Sequence, residues 1–504
     1  MAGFWGRLVN AVRAGYYVFN ERALVPSLDY PWDDYAARLF RYALFDAYAN
    51  NNAYDAVTRF SGRLKETAKL YRHVRGIYNP VSRLEESYVD KLYGGTLDFD
   101  TLEGGAVPLV FADEASAGLL RDAIRNIWLW SNIRLQKDLY VRTGVRLGDV
   151  ALKVVDEPDK RKVRIEVLHP GKIRDVTLDA VRNVKAITIE YERDDAATGK
   201  PYIYTETIDG DEFRTYKDGE PYAYYEDGQG ERVAAWRNPY GFVPVVLVQH
   251  RSTGMTWGMN AFHAQIGKIN EVNDAASVLG DAVRKSVTPM LRAIGFQPNA
   301  KISFDTTARD EMIVLYGPEG SAIEPLAPSV DIAAAGANID RLLLELERDL
   351  PELALHRLRE GGNLTAPGVR AAYADAIGRY RSAMSVYDDG LIRAQKMALS
   401  IGGFRGYDGF KGITLDSYAR GELEHFIRER AVVDDVLSRQ ERIAALQALP
   451  LEPPKARLIL QELGYSAQQI DDVVAELTLF AQPAAGFGDI DNLLSEIGVG
   501  TETE

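Results

Sequence analysis

Cysteine is missing from all 504 residues, so neither a disulfide framework nor a thiolate metal site can be built. That suits assembly in a reducing cytoplasm. Long apolar runs are missing too. The longest, Val243–Val248, is far too short to span a bilayer. Met1–Asn20 interrupts Trp5, Leu8, Val9, Val12, Tyr16 and Tyr17 with Arg7 and Arg13, unlike the unbroken apolar core of a signal peptide. The expectation is a soluble chain with no membrane contact and no N-terminal export signal. A basic excess is also lacking: 59 Lys and Arg face 73 Asp and Glu, a net charge of −14. Such a balance argues against a surface built to wrap nucleic acid.

Catalytic signatures are equally scarce. No Gly-x-x-x-x-Gly-Lys-Ser/Thr phosphate loop occurs, which argues against a P-loop ATPase or packaging motor, and no Gly-x-Ser-x-Gly elbow is present. The six histidines (His73, His169, His250, His263, His356 and His425) show no metal-ligand spacing, and each reads as a surface or satisfied core residue. Asp-Asp pairs begin at Asp33, Asp194, Asp388, Asp434 and Asp471. Adjacent residues on a helix point about 100° apart, so these pairs read as solvated helix faces. No catalytic residue, cofactor or metal is expected.

What the chain does contain is three long helical patterns. Met259, Phe262, Ile266, Ile269, Val272, Ala276, Leu279, Val283 and Val287 recur at steps of three and four. Ile332, Ala335, Ile339, Leu342, Leu346, Leu350 and Leu353 do the same, as do Val369, Ala376, Tyr380, Met384, Tyr387, Leu391 and Ala398. Each is a narrow apolar stripe on a mostly polar cylinder, and the first and third would run roughly 40–50 Å. Stripes this narrow fit either the core of a bundle or helices that need neighbours from other copies. Pro289–Pro328 interrupts the first two patterns with candidate strands at Lys301–Phe304 and Met312–Tyr316. Asp331 is placed to cap the second helix and Pro351 to kink or end it. A glycine loop, Glu360–Thr365, leads to Pro367 at the start of the third.

Before these patterns, residues 1–140 read as helical, with segments at Asp33–Ala49, Tyr54–Arg72, Pro80–Tyr93 and Asp113–Val141. Residues 148–250 read as strands: Val150–Val154, Val163–Val167, Ala186–Tyr191, Tyr202–Ile208 and Glu212–Tyr216. A Tyr-rich run and turn signals at Asp218-Gly219 and Asp227-Gly228 follow. Beyond Gly402-Gly403 the expectation is helical again, with Leu415–Leu449, Lys455–Leu463, Ala467–Leu477 and a last turn at Ile490–Ile497.

This order of parts resembles the portal (head-to-tail connector) proteins of tailed double-stranded DNA bacteriophages. The resemblance covers roughly residues 35–480. It rests on Arg142–Val154, on Asn238–Val246 (Asn-Pro-Tyr-Gly-Phe-Val-Pro-Val-Val), on Arg251–Asn273 with Gly254, Trp257-Gly258, Ile266 and Asn270, and on Gly361–Tyr373. Each motif is weak alone, and their sequence order is the stronger signal. The chain departs from the family at Ala366-Pro367-Gly368-Val369, where Ser-Gly-x-Ala-Leu is common.

The resemblance implies an α+β, mainly helical fold. Its parts would be an α/β wing (1–250, β-rich from 148), a first stem helix (251–288), a clip (289–330) and a second stem helix (331–356). A channel loop (357–368), a long wing helix (369–402) and a helical crown with a flexible tail (403–504) would complete it. It implies a homo-oligomeric ring, most commonly a dodecamer, at a capsid vertex of the virion. DNA would be packaged and ejected through the ring. The partners implied are the terminase large subunit, the major capsid or scaffold protein, and head-completion adaptor or tail proteins. The loop Glu360, Gly361, Gly362, Asn363, Leu364 and Thr365 would form the constriction. Glu345, Glu347, Asp349 and Glu352 would contribute to an acidic lumen or its neighbouring interfaces, with Arg341 and Arg348 pairing across subunits. Arg292, Lys301, Arg309, Asp310 and Glu311 would present the clip's docking surface. An acidic wall suits a passing duplex, because each phosphate neutralised by Lys or Arg adds counterion-release affinity and a stopping point. The rivals are another homo-oligomeric virion or scaffold protein without a DNA channel, and a nucleic-acid-processing hydrolase of unfamiliar layout.

Overall fold

The computed structural model describes residues 34–56, 76–112, 114–195, 198–226, 231–287, 290–294, 322–326, 331–354 and 373–430, with the single positions 432, 457 and 470. The chain divides into two compact units, Met1–Gly362 with Tyr373–Val432, and Asn363–Ala372 with Val433–Glu504. Apart from Arg457 and Ile470, everything described belongs to the first unit, an α+β assembly of helices and antiparallel sheets. The expected helix beyond Ala56, the strands Lys301–Phe304 and Met312–Tyr316, the glycine loop, the turn at Asp227-Gly228 and the helices beyond residue 433 lie outside the described residues.

Helix α1 (Tyr35–Ala49) starts where Asp34 accepts a hydrogen bond from the Ala37 N–H at 2.9 Å, and α2 (Ala53–Ala56) follows. Helix α3 (Pro80–Tyr93) has the expected bounds, with Asn79 capping the Val81 N–H and Pro80 in the first turn. The single helix expected over Asp113–Val141 is instead two, α4 (Glu114–Trp130) and α5 (Ile133–Leu147). At the break the Ser131 hydroxyl donates back to the Ile127 carbonyl at 2.6 Å and accepts from the Ile165 N–H at 2.8 Å. Asn132 then turns through left-handed backbone (φ 49°), which an asparagine tolerates better than most side chains.

Strands β2 (Asp149–Glu157), β3 (Lys162–Leu168) and β12 (Val245–Gln249) form a three-stranded antiparallel sheet ordered β12-β2-β3. A second sheet holds β4 (Ile173–Leu178), β5 (Val184–Asp194), β6 (Pro201–Asp209), β7 (Glu212–Lys217), β8 (Glu220–Pro221) and β11 (Ala235–Arg237). Its path runs β11-β7-β6-β5-β4, with β8 paired to β7. Asp218 and Gly219 both take positive φ, as their hairpin turn requires. Of the Tyr-rich run, Tyr225 enters the short strand β9 (Tyr225–Glu226), which pairs with β10 (Arg232–Val233). Strand β4 goes unannounced in the sequence because it is an irregular edge strand with charged, exposed Arg174 and Asp175.

Gly148 ends α5 and begins a knot that corrects the expected start of the first stem helix. Periodicity carries that helix back to Met259, and the resemblance carries it back to Arg251. In the structure, residues 251–262 form a closed loop, and helix α6 runs only over Ile266–Val287. Gly258 lies so close to the turn that a Cβ there would stand 2.7 Å from the Gly148 carbonyl oxygen. The Gly258 N–H donates to the buried Asp149 carboxylate at 2.7 Å, which also accepts from Tyr42 Oη at 3.1 Å. The Asn260 amide donates to the Arg146 carbonyl, and Trp257 packs under Arg38, whose guanidinium is 3.6 Å from the indole centroid. These tertiary contacts override the helical period.

After α6, strands β13 (Met290–Ile294) and β14 (Ala322–Leu326) pair antiparallel, flanking the region where inner strands were expected. Helix α7 (Ile332–Asp349) begins at Asp331, which accepts from the Ala334 N–H at 2.9 Å, and breaks at Leu350 before α8 (Pro351–Ala354). Both features follow the sequence expectation.

The longest described helix, α9 (Ala374–Arg405), packs on the three-stranded sheet and buries Tyr380, Tyr387 and Leu391. It was expected to stop at Gly402-Gly403, yet it continues to Arg405 and ends at Gly406 in left-handed backbone (φ 62°). The glycine pair serves packing instead: a Cβ would collide with the Phe410 ring at Gly402 and with the Ile413 carbonyl at Gly403. The long helix expected from Leu415 is also corrected. Residues there form the short α10 (Asp416–Ala419) and strand β15 (His425–Ile427), which pairs antiparallel with β1 (Leu109–Phe111). Buried His425 fixes this turn, with one ring nitrogen 2.9 Å from Gln395 Oε1 and the other 2.9 Å from the Leu423 carbonyl oxygen.

Candidate functional site

Helices α6 and α7 lie side by side and are joined through the β13–β14 ribbon, so they form a helical hairpin. Its base is bolted to the surrounding helices by buried polar groups. Asn273, fully buried on α6, accepts from the backbone N–H groups of Ile77 and Tyr78 at 2.7 and 2.8 Å. Its amide donates to Tyr54 Oη and to the carbonyls of Tyr78 and Ile269, so every polar atom of the side chain is used. One turn back, Asn270 Oδ1 accepts from Tyr48 and Tyr54 at 2.7 and 3.0 Å. Across the hairpin, Lys268 meets Asp349 at 2.6 Å.

On the second arm, the Glu352 carboxylate accepts from Tyr88 Oη at 2.9 Å and from Arg379 of α9 at 3.2 Å. Arg379 also donates to the Asp349 carbonyl at 3.0 Å. Glu352 has no exposed side-chain surface, so it is a corrected assignment. It faces the chain's own core, where it secures the helix break made by Pro351, and does not face a lumen. The other proposed stem charges divide differently. Arg341 is exposed and sits within its own helix's reach of Asn338 (3.0 Å) and Glu345 (3.7 Å). Arg348 is exposed in the last turn, while Glu345 and Glu347 are half-buried. Arg292 stands on β13 opposite Glu324 in register. Lys301, Arg309, Asp310, Glu311 and the loop Glu360–Thr365 lie outside the described residues.

The apolar stripe of α7 grades from base to tip. Leu353, Leu350 and Leu346 are buried, Leu342, Ile339 and Ala335 are half-buried, and Ile332 is 41% exposed. On α6, Val278 is 62% exposed and Val283 is exposed as well, while Ile266, Ile269 and Val272 are buried. Leu344 is 43% exposed on the other face of α7. Among the described residues, exposure of the apolar side chains rises from the base of the hairpin outward, although Ala282 stays buried.

Three histidines near or within this framework are held neutral by burial. Burial pushes His250 down to about 3, helped by the nearby Arg251 charge, and takes His263 and His425 down to about 4. Asp149 in the knot moves the other way, up to about 6, because desolvation outweighs the bonds from Gly258 and Tyr42. Among the described residues no group of three or more His, Asp or Glu side chains is placed to hold a metal ion, and no helix is long and apolar enough to cross a membrane. Sequence reasoning did not find Asn273, Tyr54, Lys268 or Arg379. Asn270 and Asn273, three apart beside an apolar stripe, were the available signal for a polar anchor.

No family model and no curated protein matches the chain.

Proposed function

We propose that this chain is the subunit of a portal ring at one capsid vertex of a virion, assembled in the host cytoplasm, through which double-stranded DNA is packaged and later ejected. The observation that carries the reading is the helical hairpin, whose apolar residues are buried at its base and more exposed toward its β-ribbon end, with Val278, Val283 and Ile332 exposed. A Leu-sized side chain contributes about 1.5–3 kcal/mol when fully buried, so neighbouring copies that cover these residues would close a ring without catalytic machinery. The order of parts supports the same reading: an α/β body, a helix, a β ribbon, a helix broken at proline, then a long helix. The hairpin would be the stem, the ribbon part of a clip that docks the terminase large subunit and then adaptor or tail proteins, and the α/β body the wing facing capsid or scaffold protein.

The acidic net charge favours passage over adhesion for a polyanion moving through the bore. In this reading Glu360–Thr365 forms the constriction, with Leu364 offering an apolar tip and Gly361-Gly362 permitting unusual backbone angles. Replacing both glycines, as Gly361→Val with Gly362→Val, should impair packaging of DNA into proheads while leaving the oligomer's mass unchanged. Unimpaired packaging would contradict a gating role for the loop.

A further inference from the structure

The two sheets of the α/β body line a cleft of about 700 Å³, together with Phe404 and Arg405 of α9. Lys153 of β2 and Glu206 of β6 form a largely buried ion pair in it, 2.6 Å apart. One wall carries Tyr191, Tyr204 and Tyr224, with successive ring centroids 5.4 and 5.5 Å apart. Another carries a stack in which Trp236 lies 5.4 Å from Phe213 and 4.6 Å from Tyr225. Tyr, Trp and Arg at this density are the residues that dominate binding energy at protein interfaces.

The charges around the cleft are unbalanced in one direction. Its three carboxylates are each matched by a cation: Glu206 by Lys153, Glu166 by Arg164 and Asp156 by Arg405. Two guanidinium groups remain. Arg193 rests over the rings of Tyr204 and Tyr224 at 5.8 and 5.4 Å, and exposed Arg237 follows Trp236 on β11. Neither has a carboxylate partner among the described residues. The cross-strand neighbour of Arg237, Glu212, is held by Arg214. A cationic, aromatic cleft on a chain of net charge −14 is complementary to an acidic partner.

We propose that this cleft docks an extended acidic peptide segment of a partner protein. Arg193 and Arg237 would take two of its carboxylates, and the Trp236 stack would take one of its apolar or aromatic side chains. A single-stranded nucleic acid fits less well. It would bring a phosphate with every nucleotide toward three carboxylates, with only two cations lacking a carboxylate partner to receive them.

The test uses the purified full chain, whether or not it forms a ring, so its outcome is separate from the portal reading. The probe is a fluorescein-labelled peptide of alternating aspartate and glutamate around one central tyrosine, followed by anisotropy. Wild type should bind it, and each of R193E and R237E should weaken binding about tenfold or more, the scale of one charge-assisted hydrogen bond. R193K with R237K should retain part of the affinity. Both positions are exposed, so unchanged circular dichroism should accompany the loss. Equal binding by wild type and the R193E/R237E double variant would overturn the proposal, as would no binding at about 1 mM peptide, the weak end of specific affinity. Equal binding of a lysine-substituted peptide would overturn it too. Tighter, arginine-dependent binding of an oligothymidylate would overturn the peptide assignment in favour of nucleic acid.

Discussion

Gly258 shows how a single missing Cβ decides the course of the backbone. It has no positive φ to require glycine. What requires it is contact, since its Cα faces the Gly148 carbonyl and the Gln249 side chain while its N–H satisfies buried Asp149. Gly258→Ala should therefore cost about 1–3 kcal/mol in urea denaturation, the range for inserting atoms into a filled core. A variant as stable as wild type would show that the loop gives way. The buried histidines set a second residue-scale expectation. His250, His263 and His425 stay neutral in the fold but take up protons in the unfolded chain below about pH 6.5. Their contribution is thus intact above pH 6.5 and is lost as pH falls toward 4. Each accounts for about 1.4 kcal/mol per pH unit across that window. Asp149, raised to about 6, acts in the opposite sense, its burial weakening the fold as pH rises from 3.8 to 6. Burial also lowers His169 and raises Glu85 and Asp388, so four imidazoles stand against three carboxylates, and the histidines, whose unfolded pKa lies inside the interval, should make stability measured by denaturant fall between pH 7 and pH 5. A rise over that interval would mean the imidazoles are not buried as described.

At the scale of elements, the exposed apolar positions of the hairpin would separate folding from assembly in the proposed ring. Val278→Asp with Leu344→Asp replaces two exposed side chains, so unfolding free energy should change by no more than about 0.5 kcal/mol for each. Light scattering should nonetheless show the oligomer lost or reduced. An oligomer of unchanged mass would mean these positions face solvent in the assembly. The same elements show how far the sequence could be read. Strand alternation in β2, β3, β5, β6 and β7, the Asn79-Pro80 start of α3, the Asp331 cap and the Pro351 break were legible because each is a local signal. The failures came where distant residues decide. Met259 and Phe262 hold the helical period, yet Asp149, Arg38 and Gly148 pull their segment into a loop. Gly402-Gly403 looked like a stop because glycine usually ends helices, and only Phe410 and Ile413 reveal a packing role. Glu352 looked like a helix-surface carboxylate until Tyr88 and Arg379 enclosed it.

For the whole molecule, the claim is that an acidic chain with a half-covered helical hairpin completes its core only by joining copies of itself around a bore. The buried polar bolts at Asn273 and Glu352 fix the hairpin's base, and in the proposed ring the exposed apolar side chains further out would supply the drive for closure. The most direct test is the mass and shape of the purified particle. Native mass spectrometry together with negative-stain imaging should give a closed ring with a central hole, its mass a whole multiple of the 56.0 kDa chain, most commonly twelve copies. A lone 56.0 kDa particle at every concentration would contradict the account.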